Sequence, residues 1–247
     1  MKTYLGLIPR NLIKNKKRTL ALAVSIMLSI VLITSTEILI KSVVNSSMRD
    51  NEMVTGKYHA SYMDMPYCSI DKVKQNKKVD RVATTSLIAQ CKSGESIIEM
   101  YGMDGETIDL LSMKLVDGKY PQKQGEAIVE KWVLDKIKPN AKIGDKISIE
   151  CSIFKISETD RKSKQIIEFT LCGVLENTSI GRDIGVGKIY TSSDEAEKII
   201  DRKNMIYYQY FTVKKDLPIR DTAENLKDEF GTEGMGRYRV INSSLII

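Results

Sequence analysis

Thr19–Thr36 reads TLALAVSIMLSIVLITST, eighteen residues without a charge, a proline or a glycine. After Glu37 the apolar run resumes as Ile38-Leu39-Ile40. At a rise of about 1.5 Å per residue, roughly twenty-two helical residues reach about 33 Å, enough to cross a hydrocarbon core of about 30 Å. Ala, Leu and Met favour helix, and a lone span in lipid must satisfy its own backbone, which only a helix does. The rival reading is a cleavable secretory signal, whose apolar core runs to about 7–15 residues and ends at an A-x-A-like site. This run is longer, and residues 36–46 hold no convincing pattern of that kind, so a retained membrane helix is expected.

The flanks of the run set its orientation. Lys2, Arg10, Lys14, Lys16, Lys17 and Arg18 precede it with no acid among them, and Glu37 follows. The positive-inside rule puts the N-terminus in the cytoplasm and the remaining chain outside the cell membrane. Those six bases also account for the whole net charge of +6: the other 32 bases are matched by 32 acids. A nucleic-acid-binding fold would carry its basic excess on the body of the domain, and here the body is neutral. Tyr4, Leu5, Ile8 and Leu12 fall on one helical face, with Arg10, Lys14, Lys17 and Arg18 opposite. That pattern fits a basic amphipathic segment, residues 1–18, on the anionic inner leaflet of the lipid. Beyond Ile40, Val43, Val44 and Met48 extend the apolar face, and neither Gly nor Pro interrupts residues 19–50. The helix should therefore continue from Glu37 as a stalk and end before Gly56.

Residues 51–247 alternate strand-like and helix-like stretches, which predicts an α+β body outside the membrane. Strands are expected at 54–63, 81–92, 96–103, 126–129, 146–157, 165–175, 188–191, 205–213 and 237–241. Helices are expected at 70–77, 106–112, 131–138, 193–202 and 219–230, with Ser193 as an N-cap. The strands at 146–157 and 165–175 read as a hairpin joined by the charged loop 158–164.

No catalytic or cofactor-binding constellation stands out. His59 is the one histidine, inside a predicted strand and without a Cys or carboxylate at metal spacing. Gly181–Lys188 fails as a phosphate loop: five residues rather than four separate Gly181 from the Gly187-Lys188 pair, and Ile189 stands where Ser or Thr is needed. A loop is the better reading. Trp132, Tyr207, Tyr208 and Tyr210 fit packing of a sheet more readily than a binding face. Cys68, Cys91, Cys151 and Cys172 allow three pairings. Two readings stay open: four small buried residues, or a bridge such as Cys151–Cys172 across the predicted hairpin.

Taken in order, several segments resemble the N-terminal half of a MacB/FtsX-type ABC transporter permease. Arg10-Asn11-Leu12-Ile13-Lys14-Asn15-Lys16-Lys17-Arg18-Thr19 is similar to that family's R-N-L-x-x-x-K-x-R-T approach to its first membrane helix. Leu115–Pro121, Gly125–Val129, Lys142–Ile147 and Phe169–Leu175 follow the spacing of its extracytoplasmic core domain. The resemblance implies a MacB-like core domain at 51–247, no cofactor, and a separate cytoplasmic ATPase that hydrolyses ATP. It implies a homo- or heterodimer with another permease chain, and export or mechanical transmission as the task. Tyr4, Ile8, Arg10, Asn11, Lys14, Lys17 and Arg18 would face the ATPase, and Glu37, Val43, Val44 and Met48 would carry motion outward. Family members continue into three further membrane helices, so this chain corresponds to their N-terminal half. The alternative is a single-span extracellular binding or sensor module.

Overall fold

The computed structural model describes residues 15–153, 164–177, 179–230 and 237–240. It divides into two compact units, Met1–Arg49 and Asp50–Ile247. The first is occupied by most of helix α1, Lys16–Thr55. Its span Lys16–Ser46 is long and apolar enough to cross a membrane, and none of its most apolar window is buried. The helix stops where the run of good helix formers stops: Gly56 follows at φ +99, a left-handed conformation that costs a glycine little.

The second unit is α+β, as its alternating pattern predicts. Its strands are β1 (Ala60–Met65), β2 (Val79–Ser93), β3 (Ser96–Met103), β4 (Leu115–Gly118), β5 (Glu126–Glu130), β6 (Lys146–Ile153), β7 (Lys164–Leu175), β8 (Val186–Ser192), β9 (Ile206–Val213) and β10 (Arg237–Val240). Its helices are α2 (Ile70–Lys74), α3 (Gly105–Leu110), α4 (Lys131–Ile137), α5 (Ser179–Asp183), α6 (Ser193–Ile199) and α7 (Ile219–Phe230). All ten strands belong to one sheet.

Six of these strands close on themselves. β2 pairs β3, β3 pairs β8, β8 pairs β5, β5 pairs β7, β7 pairs β6, and β6 returns to β2. The β3–β8 and β5–β7 pairs are parallel and the other four antiparallel. Closure rests on two residue pairs, Ala89↔Ile153 and Gln90↔Ser152. β2 serves two neighbours on that side: Val79–Leu87 pairs β9, and past an irregularity at Leu87/Ala89 the strand meets β6. β9, β1 and β10 then extend the sheet as an arm.

Period-two alternation explains which faces are buried. On β6, Ile147, Ile149, Cys151 and Ile153 are buried, while Lys146 and Glu150 are exposed. These side chains join Ile98, Met100, Val129, Phe169, Leu171 and Ile189 in the main core. Trp132 and Val133 of α4 complete it, seated against Gly187 where a Cβ would meet the indole. In the arm, Phe211 and Tyr62 stack at 6.1 Å between ring centroids, under Leu226 of α7. At about 1.5–3 kcal/mol for each large apolar side chain removed from water, this core dominates the stability of the body.

The structure corrects several local expectations. Ser192, not Ser193, caps α6, its hydroxyl accepting from the Glu195 N–H at 3.2 Å. Ser192 still has extended backbone, as an N-cap requires, whereas Ser193 is already helical. Residues 54–59 are not strand: α1 persists through Thr55, and Lys57 and His59 lie in bends. Part of the expected loop at Gly181–Lys188 is helix α5, and β8 begins two residues early at Val186. β4, Leu115–Gly118, lies where no strand is expected. Residues 158–163 of the expected charged loop lie outside the described residues.

Candidate functional site

α1 is built to sit in an apolar solvent. Four of its hydroxyls are satisfied within the helix: Ser25 donates to Ala21 O, Ser29 to Ser25 O, Thr34 to Ile30 O and Thr36 to Leu32 O, all at 2.8–2.9 Å. Such back-bonding gives those four hydroxyls a partner that lipid cannot supply. Glu37 is paired with Lys41 one turn on at 2.6 Å, which neutralises the acid at this end of the span. Val43 and Val44 lie on the same continuous helix, Val43 well exposed and Val44 less so. Lys17 and Arg18 stand in its first turn. Tyr4, Ile8, Arg10, Asn11 and Lys14 lie outside the described residues, as does the side chain of Met48.

Within the second unit, just after α1 ends, a charged cluster joins Lys57 to α3 and β2. The Lys57 N–H donates to Leu110 O at 2.8 Å, and a Cβ on Gly56 would lie 2.5 Å from that same oxygen. The Lys57 ammonium is ion-paired with Asp109. Asp109 also accepts from Arg81 Nη1 at 2.6 Å, and Arg81 Nη2 reaches Glu106 at 2.7 Å. Hydrogen bonds from Lys57 and then Arg81 hold the Asp109 carboxyl below its ordinary range. α3, which carries Glu106 and Asp109, is itself pinned to β2. Its N-cap Asp104 accepts from Thr107 N at 3.1 Å and from Thr84 N of β2 at 2.8 Å. Sequence spacing gave no hint of this cluster, because its members come from residues 57, 81, 106 and 109.

The aromatics divide between the two faces of the sheet. Tyr207 packs in the main core, while Tyr208 and Tyr210 are half-buried on the opposite face. There Tyr208 meets Tyr101 edge-on at 5.8 Å, and Tyr101 stacks on Tyr190 at 5.7 Å. The Tyr101 hydroxyl donates to Glu99 at 2.6 Å. Burial first and then the Glu99 charge push its phenol well above the ordinary value. Burial likewise lifts Tyr210 to about 12, so these phenols stay neutral. Leu87, Met103, Ile128 and Leu175 fill in around them as a second apolar cluster. Trp132 is buried with its indole N–H on Glu130 at 2.9 Å. Packing, rather than an open binding face, accounts for all of these rings.

The cysteines overturn both sequence readings. Cys151 is bonded to Cys91, not to Cys172. The hairpin register explains why: Cys151 lies opposite Gln165, seven residues along β7 from Cys172. Closure of the ring instead places Cys91 beside Cys151, one residue past the Gln90↔Ser152 pair. Cys172 is a buried free thiol whose Sγ donates to Ala127 O at 3.3 Å, and burial raises it to about 11, so it is inert. Cys68 is free and exposed. His59 accepts the Val213 N–H on Nδ1 at 2.9 Å, and burial lowers its pKa. Among the described residues no group of three or more His, Cys, Asp or Glu side chains could hold a metal ion.

No family model matches the chain, and no curated protein matches it. Solved structures do. The periplasmic region of MacB from Actinobacillus actinomycetemcomitans superposes with a TM-score of 0.50 at 13% identity, over 81% of this chain and 95% of that one. The body has a MacB-like periplasmic fold. The extracellular domain of the noncanonic ABC-type transporter YknZ from Gram-positive bacteria matches at a TM-score of 0.47 and 16% identity, over 75% of this chain and 99% of that one. The conspicuous side-chain features of the body are a disulfide, an ionic cluster and two packed faces.

Proposed function

We propose that the chain is a permease subunit of an ABC-type transporter. It is anchored in the cell membrane with its N-terminus in the cytoplasm and its MacB-like body outside. ATP hydrolysis belongs to a separate cytoplasmic ATPase, contacted through Tyr4, Ile8, Arg10, Asn11, Lys14, Lys17 and Arg18. α1 relays the ATPase motion outward, its stalk running from Glu37 through Val43, Val44 and Met48, for export or for mechanical work on an outside partner. A second permease chain completes the dimer.

One observation carries the reading: a helix of membrane-spanning length leads directly into a body with the MacB periplasmic fold. The Cys91–Cys151 bond agrees with a body matured in an oxidising compartment. The test is chemical cross-linking in native membranes, followed by mild solubilisation and mass spectrometry. An ABC ATPase cross-linked to residues 1–18 is the expected result. A membrane-impermeant maleimide should also label Cys68 on intact cells. An accessible body with no ATPase attached would replace this reading with a stand-alone binding module.

A further inference from the structure

We propose that Asp117-Gly118 is a site of spontaneous backbone modification, at which the fold promotes closure of the Asp117 carboxyl onto the Gly118 nitrogen and isomerisation of Asp117 to isoaspartate. The inference concerns the body alone and does not rest on the transporter reading.

The sequence holds two Asp-Gly dipeptides, Asp104-Gly105 and Asp117-Gly118, and the structure treats them oppositely. Asp104 is the N-cap of α3, and both its oxygens are taken. Oδ1 accepts from Thr107 N at 3.1 Å and from Thr107 Oγ1 at 2.8 Å, and Oδ2 accepts from Thr84 N at 2.8 Å. Those bonds aim the carboxyl at Thr107 and β2, past Gly105. Asp117 is turned the other way. Its Oδ1 accepts from the N–H of its own neighbour, Gly118, at 2.8 Å, which brings Cγ beside the nitrogen that attacks it. A carboxyl held this way approaches the separation of about 3–3.5 Å from which atoms react. Both residues are exposed on β4, an edge strand with a register irregularity at Leu115/Asp117. Water reaches the group, and β7 is the one partner of β4 among the described strands. The fold also demands Gly118: its φ is +82, and a Cβ there would collide with Cys172 O. No side chain therefore shields the nitrogen.

In the step, the Gly118 N–H gives its proton to solvent, the N–Cγ bond forms, and the hydroxyl of the protonated carboxyl leaves as water. Water then opens the five-membered imide at either carbonyl, restoring aspartate or giving isoaspartate. Isoaspartate carries one more carbon in the main chain. The pairs Asp117↔Val174 and Gly118↔Gly173 cannot both survive that insertion, so β4 loses its hold on β7.

The test ages the full chain at neutral pH in heavy-oxygen water, either folded in detergent or unfolded in urea. The protein is then digested in ordinary water and mapped by mass spectrometry with electron-transfer fragmentation, which separates isoaspartate from aspartate. Each opening of the imide leaves one heavy oxygen. In the folded chain, isoaspartate and heavy oxygen should accumulate at residue 117 at least about tenfold faster than at residue 104, a difference that about 1.4 kcal/mol in the barrier supplies. In urea the two dipeptides should react at similar rates, because each has lost the geometry the fold imposes. Asp117→Glu, which would have to close a six-membered ring, should abolish the product at that position. The Lys119 N–H, which donates to Cys172 O at 2.9 Å, should exchange faster in the isomerised fraction. Similar rates at the two positions in the folded chain, or the same preference for residue 117 in urea, overturn the proposal. A Lys119 amide that exchanges no faster overturns the release of β4.

Discussion

Removing the Cys91–Cys151 bond should destabilise the body by about 4 kcal/mol. The bond joins residues 60 apart in sequence, and a covalent loop of that length restricts the unfolded chain by roughly 14 cal/mol/K, or about 4.3 kcal/mol at 25 °C. Unfolding entropy of about 2.1 cal/mol/K per residue, over the roughly 200 residues of Asp50–Ile247, converts this to a fall in Tm of about 10 °C. The perturbation is Cys91→Ala with Cys151→Ala in the full chain, followed by circular dichroism in detergent. Both sulfurs are buried, so truncation itself adds a small packing loss. Wild-type protein unfolded with and without reductant isolates the loop term from that loss. Thiol counting under denaturing conditions checks the premise: two reactive thiols before reduction, Cys68 and Cys172, and four after. Four thiols before reduction would refute the pairing. A shift below about 2 °C with the pairing intact would refute the loop-entropy account of its contribution.

Other outcomes follow from the same geometry. Leu32→Arg places a charge near the middle of the α1 span at a cost of about 2.5–3.5 kcal/mol, and alkaline carbonate should then extract the protein from membranes that retain the wild type. Gly187→Ala forces a methyl to within 2.9 Å of the Trp132 ring carbons, and overpacking of this kind costs about 1–3 kcal/mol, readable as a lowered urea midpoint at unchanged slope. His59 has its pKa lowered by burial, so the unfolded chain binds the proton more readily. Stability should be full above the ordinary value of 6.5 and decline as pH falls through and below it. His59→Asn keeps an acceptor for the Val213 N–H and should flatten that decline in urea melts between pH 7.5 and 5.5.

What the sequence announced was local. α7 runs from Ile219 to Phe230 as its amphipathic spacing requires, and the strands expected at 81–92 and 96–103 pair across a turn at Gly94-Glu95. β6 and β7 pair as the hairpin their alternation predicts. What escaped was set by distant partners. β4 has four residues and owes its existence to pairing with Gly173–Leu175 on β7. Of the strand expected at 54–63, Val54 and Thr55 went to α1 and residues 56–59 to a stretch with bends at Lys57 and His59, so β1 begins only at Ala60. The disulfide depended on a ring closure of two residue pairs that no periodicity encodes. The ionic cluster of Lys57, Arg81, Glu106 and Asp109 is equally non-local, since an exposed lysine, arginine and two acids look like ordinary surface until the fold brings them together.

The position of β1 has a bearing on how the body is made. β1 lies between β9 and β10, so the opening strand of the body finds its neighbours only among the closing ones. On a chain delivered N-terminus first, Ala60–Met65 would arrive early and wait through the synthesis of some 140 further residues before β9 exists. During that interval its apolar face, Ala60, Tyr62 and Met65, has no sheet to join. Contacts of such long range close late and slowly. The arm should therefore be the last part to become protease-resistant after synthesis. It is also the part most dependent on a holding factor outside the membrane, and the first to aggregate when that factor is scarce.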